Sequence, residues 1–181
     1  VTIGTPTDSV DASSGPVNGW ERVSDAPVEW NLIGNSTVGG SYCVEGNVVI
    51  SGNPSGPGGT PLPLSLFADG SVKLSGNPKI TAADPGGALI IANGDVAISG
   101  NPSGSADNYN GLVYAGSQCQ LNGNPTLEGQ LLCYDAPNPP GSSEFVSENG
   151  ISGNPTIRYN CGGLVVGARR ILSWYQTLGG A

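Results

Sequence analysis

One short word, Ser-Gly-Asn-Pro with an aliphatic residue before it, constrains this chain more than any other feature. It ends at Asn53-Pro54, Asn77-Pro78, Asn101-Pro102 and Asn154-Pro155, and in the variant Asn-Gly-Asn-Pro at Asn124-Pro125; a looser copy, Leu32-Ile33-Gly34-Asn35, precedes them. Three residues before each asparagine stands Leu32, Ile50, Leu74, Ile98, Leu121 or Ile151. Five before it stand Trp30, Val48, Val72, Val96, Cys119 and Asn149, and the position between is mixed. Alternation of this kind belongs to a strand with one buried face. A further apolar residue follows the corner in most copies (Val38, Ile80, Leu127, Ile157), and an apolar run precedes four of them, as in Leu89-Ile90-Ile91-Ala92. Each repeat therefore reads as strand, turn, strand, Gly-Asn-Pro corner, strand.

The asparagines are spaced 18, 24, 24, 23 and 30 residues apart. Short periods of this length mark chains whose repeats bury their apolar faces only by stacking. The period-2 pattern and the abundance of glycine (30) and proline (15) exclude helical repeats. The expected fold is all-β, a single-stranded parallel β-helix of about six coils with capped ends, its coils about 4.8 Å apart. Three segments follow: residues 1–29 as an extended arm or cap, 30–163 as the repeats, and 164–181 as a C-terminal cap or docking segment. At the corner, glycine permits a positive φ and proline holds the preceding residue extended. The corner asparagines Asn35, Asn53, Asn77, Asn101, Asn124 and Asn154 are then expected either simply to turn the chain or to form a side-chain ladder along the stack.

Composition removes several function classes. The 181 residues hold 14 acidic and 6 basic side chains, a net charge of -8, and no histidine. Phosphate backbones and anionic membranes both require clustered Lys and Arg, so neither is an expected partner. No apolar run reaches the length that spans a bilayer. Val1 in place of methionine is expected to be a processed or trimmed end, with any signal or anchor already removed. Without Cys-x-x-Cys spacing or histidine, Cys43, Cys119, Cys133 and Cys161 do not read as a zinc site. They fit a secreted or surface protein with a disulfide, for which Cys133–Cys161, in neighbouring terminal repeats, is the expected pair.

Catalytic parts are scarce. Asp69 and Asp95 occupy neighbouring turn positions of successive repeats and are the pair that a glycosidase would use, with Lys73 and Lys79 nearby to neutralise them; the solvated-turn reading is preferred. Asp84, Asp107 and Asp135 are loop carboxylates without the spacing of a calcium loop. No enzyme, cofactor or metal is therefore expected. Trp20 and Trp30 read as cap or first-coil aromatics. Trp20, Arg169, Arg170, Trp174 and Tyr175 are the expected subunit contacts, since Arg169-Arg170 sets positive charge against an acidic body.

The Val-x-Ile-Ser-Gly-Asn-Pro repeats, the run Ile151-Ser152-Gly153-Asn154-Pro155-Thr156-Ile157-Arg158-Tyr159-Asn160 and the ending Ile171-Leu172-Ser173-Trp174 resemble the glycine-rich region of bacterial PilX-like type IV pilus assembly proteins. The resemblance covers most of the chain after Trp30. The pilin-like hydrophobic helix with which those proteins usually begin is missing here. It implies a non-enzymatic structural protein of an extracellular filament or pilus, a homo-oligomer joined through its termini, with other pilus subunits as further partners. The alternative from the residues themselves is a carbohydrate-binding adhesin using Tyr109, Tyr114 and Tyr134.

Overall fold

The computed structural model describes residues 8–10, 20–32, 34, 37–84, 87–100 and 109–159. Its strands are β1 (Asp8–Val10), β2 (Trp20–Asp25), β3 (Val28–Leu32), β4 (Gly40–Val44), β5 (Asn47–Ile50), β6 (Leu62–Ala68), β7 (Val72–Leu74), β8 (Ile80–Thr81), β9 (Ala88–Ala92), β10 (Val96–Gly100), β11 (Tyr109–Ala115), β12 (Cys119–Gly123), β13 (Thr126–Cys133), β14 (Gly150–Gly153) and β15 (Thr156–Arg158). The first sheet runs β1-β4-β6-β8-β11-β13-β15, with β9 pairing both β6 and β11 beside that path; the second runs β14-β12-β10-β7-β5-β3-β2.

The all-β expectation stands, but the single-stranded β-helix of six three-stranded coils is corrected. The second sheet is mixed, because β2 pairs antiparallel with β3 around the Ala26-Pro27 turn. In the first sheet β6, β8, β11 and β9 close a four-strand parallel circuit. The apolar run expected as a third strand is also not separate. In β6, β11 and β13 it joins the segment after the corner into one continuous strand of seven or eight residues. Among the described residues, only between β8 and β9 does a loop divide the two halves, and that division creates the circuit.

The aliphatic positions do share one ladder. Leu32 pairs Ile50, Ile50 pairs Leu74, Leu74 pairs Ile98, Ile98 pairs Leu121, and Leu121 pairs Ile151. The first five are buried, while Ile151 on the last strand is 63 % exposed. Beside them Trp30, Val48, Val72, Val96 and Cys119 form a second buried column. Facing these from the first sheet are Leu62, Ile80, Tyr109 and Leu127, and next to them Leu66, Ile90 and Val113. At about 1.5–3 kcal/mol for each fully buried side chain, these columns are the main source of stability. The end of the core nearest β2 is filled by Trp20, fully buried with its ring edge-on to Tyr42 at 5.3 Å. Its place in the core leaves Trp20 no surface for a subunit contact.

The disulfide joins Cys119 to Cys133, with Cα atoms 5.7 Å apart, which corrects the expected Cys133–Cys161 pair. Cys133 lies over Ala115 in the first sheet, and Cys119 follows that alanine by one tight turn at the start of β12. Closing one strand-to-strand corner brings the two together, whereas repeat number alone had suggested its later neighbour. Cys43 is a free, exposed thiol on the outer face of β4, and Cys161 lies outside the described residues. Opening a loop of this size, with the cysteines 14 positions apart in sequence, is expected to cost about 3 kcal/mol. Denaturant unfolding with and without reductant reads that difference; identical midpoints would leave the bond without a stabilising role.

Candidate functional site

Two kinds of corner join the sheets, and the polar chemistry gathers at the less conspicuous one. At the Gly-Asn-Pro corners the prolines Pro54, Pro78 and Pro125 point inward and are buried, while Asn53, Asn77, Asn124 and Asn154 are exposed. The corner backbone forms a ladder: the amides of Asn77, Asn124 and Asn154 donate to the carbonyls of Gly52, Gly100 and Gly123 one strand below, at 2.8–3.0 Å. Asn35 and Asn101 lie outside the described residues. The glycines are required because they stack on one another. A Cβ on Gly76 would stand 2.4 Å from the Gly52 carbonyl oxygen, and one on Gly153 2.4 Å from that of Gly123.

A buried polar column occupies the opposite corner, at the first residue of β5 and just before β7 and β10. Asn47, Ser71 and Asp95 are each fully buried. Asn47 Oδ1 accepts from the Ser71 amide at 2.8 Å, Ser71 Oγ from the Asp95 amide at 2.9 Å, and Asp95 Oδ1 from the Gln118 amide at 3.1 Å. Each side chain thus satisfies an amide of the next strand layer that the turn would otherwise leave unpaired. In the last layer Asn149 Oδ1 accepts from the Cys119 amide at 2.7 Å.

Over this column folds the segment from Asp135 to Val146, the longest insertion among the repeats. The sequence reads it as a loop bulging from a corner; in the structure it is a strap laid back across earlier layers. Its Phe145 and Val146 amides and the Asn138 Nδ2 all donate to Asp95 Oδ2, at 2.9, 3.0 and 3.0 Å. Further back, the Ser143 amide donates to Asn47 Oδ1 at 3.0 Å, and Asn47 Nδ2 donates to the Gly141 carbonyl at 3.4 Å. Lys73 Nζ sits 5.7 Å from the centre of the Phe145 ring, and Val146 is buried. The Asp95 carboxylate therefore accepts four hydrogen bonds in a fully buried position, which is what keeps a charge inside a protein tolerable.

Where the strap ends, a cleft of roughly 530 Å³ opens between its tip, Pro140–Ser142, and the β2–β3 turn. Asp25, Glu45 and Asp69 face it from three successive turns. Asp69 Oδ1 accepts from the Gly46 amide, and Asp25 is paired with Arg22 Nε at 3.0 Å. The structure thus gives the two carboxylates of the glycosidase reading different work: Asp69 stands at the cleft holding a turn, and Asp95 is committed to the strap. Lys73 lies against Phe145, and the Lys79 amide donates to the Pro54 carbonyl in the sheet ladder. Asp135 accepts from Gln118 Nε2 at 2.8 Å and from Asn149 Nδ2 at 3.2 Å, while Asp107 lies outside the described residues. Among the described residues no group of three or more His, Cys, Asp or Glu side chains is placed to hold a metal ion.

The three tyrosines separate. Tyr109 is a core residue of β11 whose burial pushes its phenol well above the ordinary tyrosine range. Tyr114 is half-buried on the outer face, and Tyr134 is 72 % exposed. Arg169, Arg170, Trp174 and Tyr175 lie outside the described residues. No described helix is long and apolar enough to cross a membrane. Asn47 and Ser71 are the residues that sequence reasoning missed, and Asp95 was singled out for a different role; the available signal was a polar residue immediately before each Val-x-Ile or Val-x-Leu. Comparisons of the chain with protein-family models, with curated proteins and with solved structures found no match.

Proposed function

We propose that this chain is a non-enzymatic structural protein of an extracellular bacterial filament or pilus, self-associating end to end. The observation that supports this reading is the difference between its two ends. One end is closed by the antiparallel β2–β3 pair over the buried Trp20. At the other, β14 and β15 present Ile151, Ile157 and Tyr159 at 63, 42 and 54 % exposure. Unlike ends on a rigid stack are the geometry from which head-to-tail contacts build open filaments. The carboxylates of the described residues point the same way, since the most deeply buried one, Asp95, is spent on internal hydrogen bonds. The disulfide fits an oxidising compartment, where such bonds persist.

Negative-stain microscopy and sedimentation of the purified chain test the proposal. Fibres, or a sedimentation coefficient that climbs with concentration, are expected. A monodisperse monomer that binds a glycan array would overturn it in favour of an adhesin.

A further inference from the structure

The base of the strap holds oxygens that the protein itself does not satisfy. Ser117 Oγ, Gln118 Oε1 and Asn138 Oδ1 are buried atoms without a hydrogen-bond partner among the described residues, and Ser117 is fully buried as a residue. A single buried polar atom left unpaired is costly, and three beside one another call for a shared partner.

Their placement follows from the bonds around them. Gly70, Gly94, Ser117 and Asp135 belong to one backbone ladder, in which each amide donates to the carbonyl one layer below at 2.9–3.2 Å. Along this ladder a side chain faces the polar column of the layer beneath: a Cβ on Gly70 would stand 2.6 Å from Asn47 Oδ1, and one on Gly94 2.3 Å from Ser71 Oγ. The same direction aims the Ser117 hydroxyl at Asp95. Each carboxamide is oriented by a carboxylate, to which its nitrogen must turn: Asn138 Nδ2 donates to Asp95 Oδ2 at 3.0 Å, and Gln118 Nε2 to Asp135 Oδ1 at 2.8 Å. Their oxygens are thereby left as bare acceptors next to two carboxylates. Among the described residues those carboxylates are met by amide donors alone, with no ion pair to Lys or Arg.

A water has two protons to offer such a set, whereas a cation is shared by all of it and offsets its charge. Carboxylate, carboxamide and hydroxyl oxygens without nitrogen or sulfur select a hard cation. Calcium fits better than magnesium, because ligands from two separate segments, one of them the exposed Asp135, do not impose a small rigid octahedron. We propose that Ser117 Oγ, Gln118 Oε1, Asn138 Oδ1 and the Asp135 carboxylate bind a calcium ion at the base of the strap, with water completing its shell. Ser117 and Gln118 belong to the corner between β11 and β12, and Asp135 and Asn138 to the strap, so the ion fastens one to the other. This site goes beyond the filament reading and does not depend on it.

Urea unfolding of the full chain in chelator, in calcium and in magnesium tests the proposal. With the affinity usual for extracellular calcium modules, a dissociation constant of about 0.1–1 mM, about 10 mM calcium is expected to raise the folding equilibrium constant roughly ten- to a hundredfold. The same concentration of magnesium should leave it near the chelator value, and calcium should slow proteolysis within residues 136–146. Asp135→Asn keeps an oxygen to accept from Gln118 and Asn149 but removes the charge, and is expected to weaken calcium binding about tenfold or more in equilibrium dialysis. Glu45→Gln, in the acidic cleft, should retain it, which separates the site from general attraction of cations to an acidic chain. Equal stability of the parent chain in calcium and in chelator, or an equal gain from magnesium, would overturn the proposal without reference to any variant and leave buried water as the partner of the three oxygens. So would undiminished calcium binding by Asp135→Asn, or an equal loss in Glu45→Gln.

Discussion

Gly76→Ala is expected to lower the unfolding free energy by about 4 kcal/mol, although it adds a single methyl group. Two costs combine. The residue has φ +86°, a conformation that costs a side-chain-bearing residue about 1–3 kcal/mol. Its new Cβ also meets the Gly52 carbonyl oxygen at 2.4 Å and the Gly52 nitrogen at 2.9 Å. These are backbone atoms in a hydrogen-bonded layer, so they cannot turn aside, and overpacking of this kind adds about 1–3 kcal/mol. Gly58→Ala is the matched control. It shares the positive φ, at +68°, but has nothing within 4 Å of its Cβ, and it should cost only about 1 kcal/mol. Denaturant midpoints of the two variants separate backbone strain from collision; equal losses would mean that the stacked glycine has no special role.

Asp95→Ala is expected to be of similar size, about 4 kcal/mol, through a different mechanism. The substitution leaves the amides of Gln118, Phe145 and Val146 and the side-chain amide of Asn138 without their acceptor. Each buried donor left unpaired costs about 1–3 kcal/mol, reduced where the strap can lift and hydrate it. The lifting is itself measurable. Limited proteolysis within residues 136–146 should become fast in Asp95→Ala at denaturant concentrations where the sheets remain folded. A strap as resistant as in the parent chain would show that Val146 and the Lys73–Phe145 contact hold it without the carboxylate. Against a typical total stability of about 5–15 kcal/mol, either substitution removes a large fraction.

How far the sequence reveals this fold depends on the range over which each signal acts. The register of Leu32, Ile50, Leu74, Ile98, Leu121 and Ile151 was readable because a period of two specifies which face is buried, and a one-residue slip would expose the whole set. The number of strands per repeat was not readable. Nothing local distinguishes a bend from a straight continuation between Leu62 and Leu66, or between Thr126 and Cys133. The antiparallel start at β2 was hidden for a related reason, since Trp20–Asp25 carries no copy of the repeated word. Gly-Asn-Pro pointed to the correct corner without showing that the member buried there is proline, with the asparagine amides pairing to the layer below. The polar column was masked because three residue types, Asn47, Ser71 and Asp95, do one job. The strap was beyond sequence reasoning altogether. Its residues show no periodicity, and its partners lie as far back as Asn47, 96 residues from Ser143.

That long return carries a mechanical consequence. Neighbouring layers are held by hydrogen bonds that a pull along the stacking axis loads one rung after another, so the weakest rung would ordinarily set the breaking force. The strap leaves a late layer and is fastened near an early one, bridging the rungs between as a tie-rod does. Tension must detach it from Asn47 and Asp95 before the intervening layers can part, and the load is shared across several strands at once.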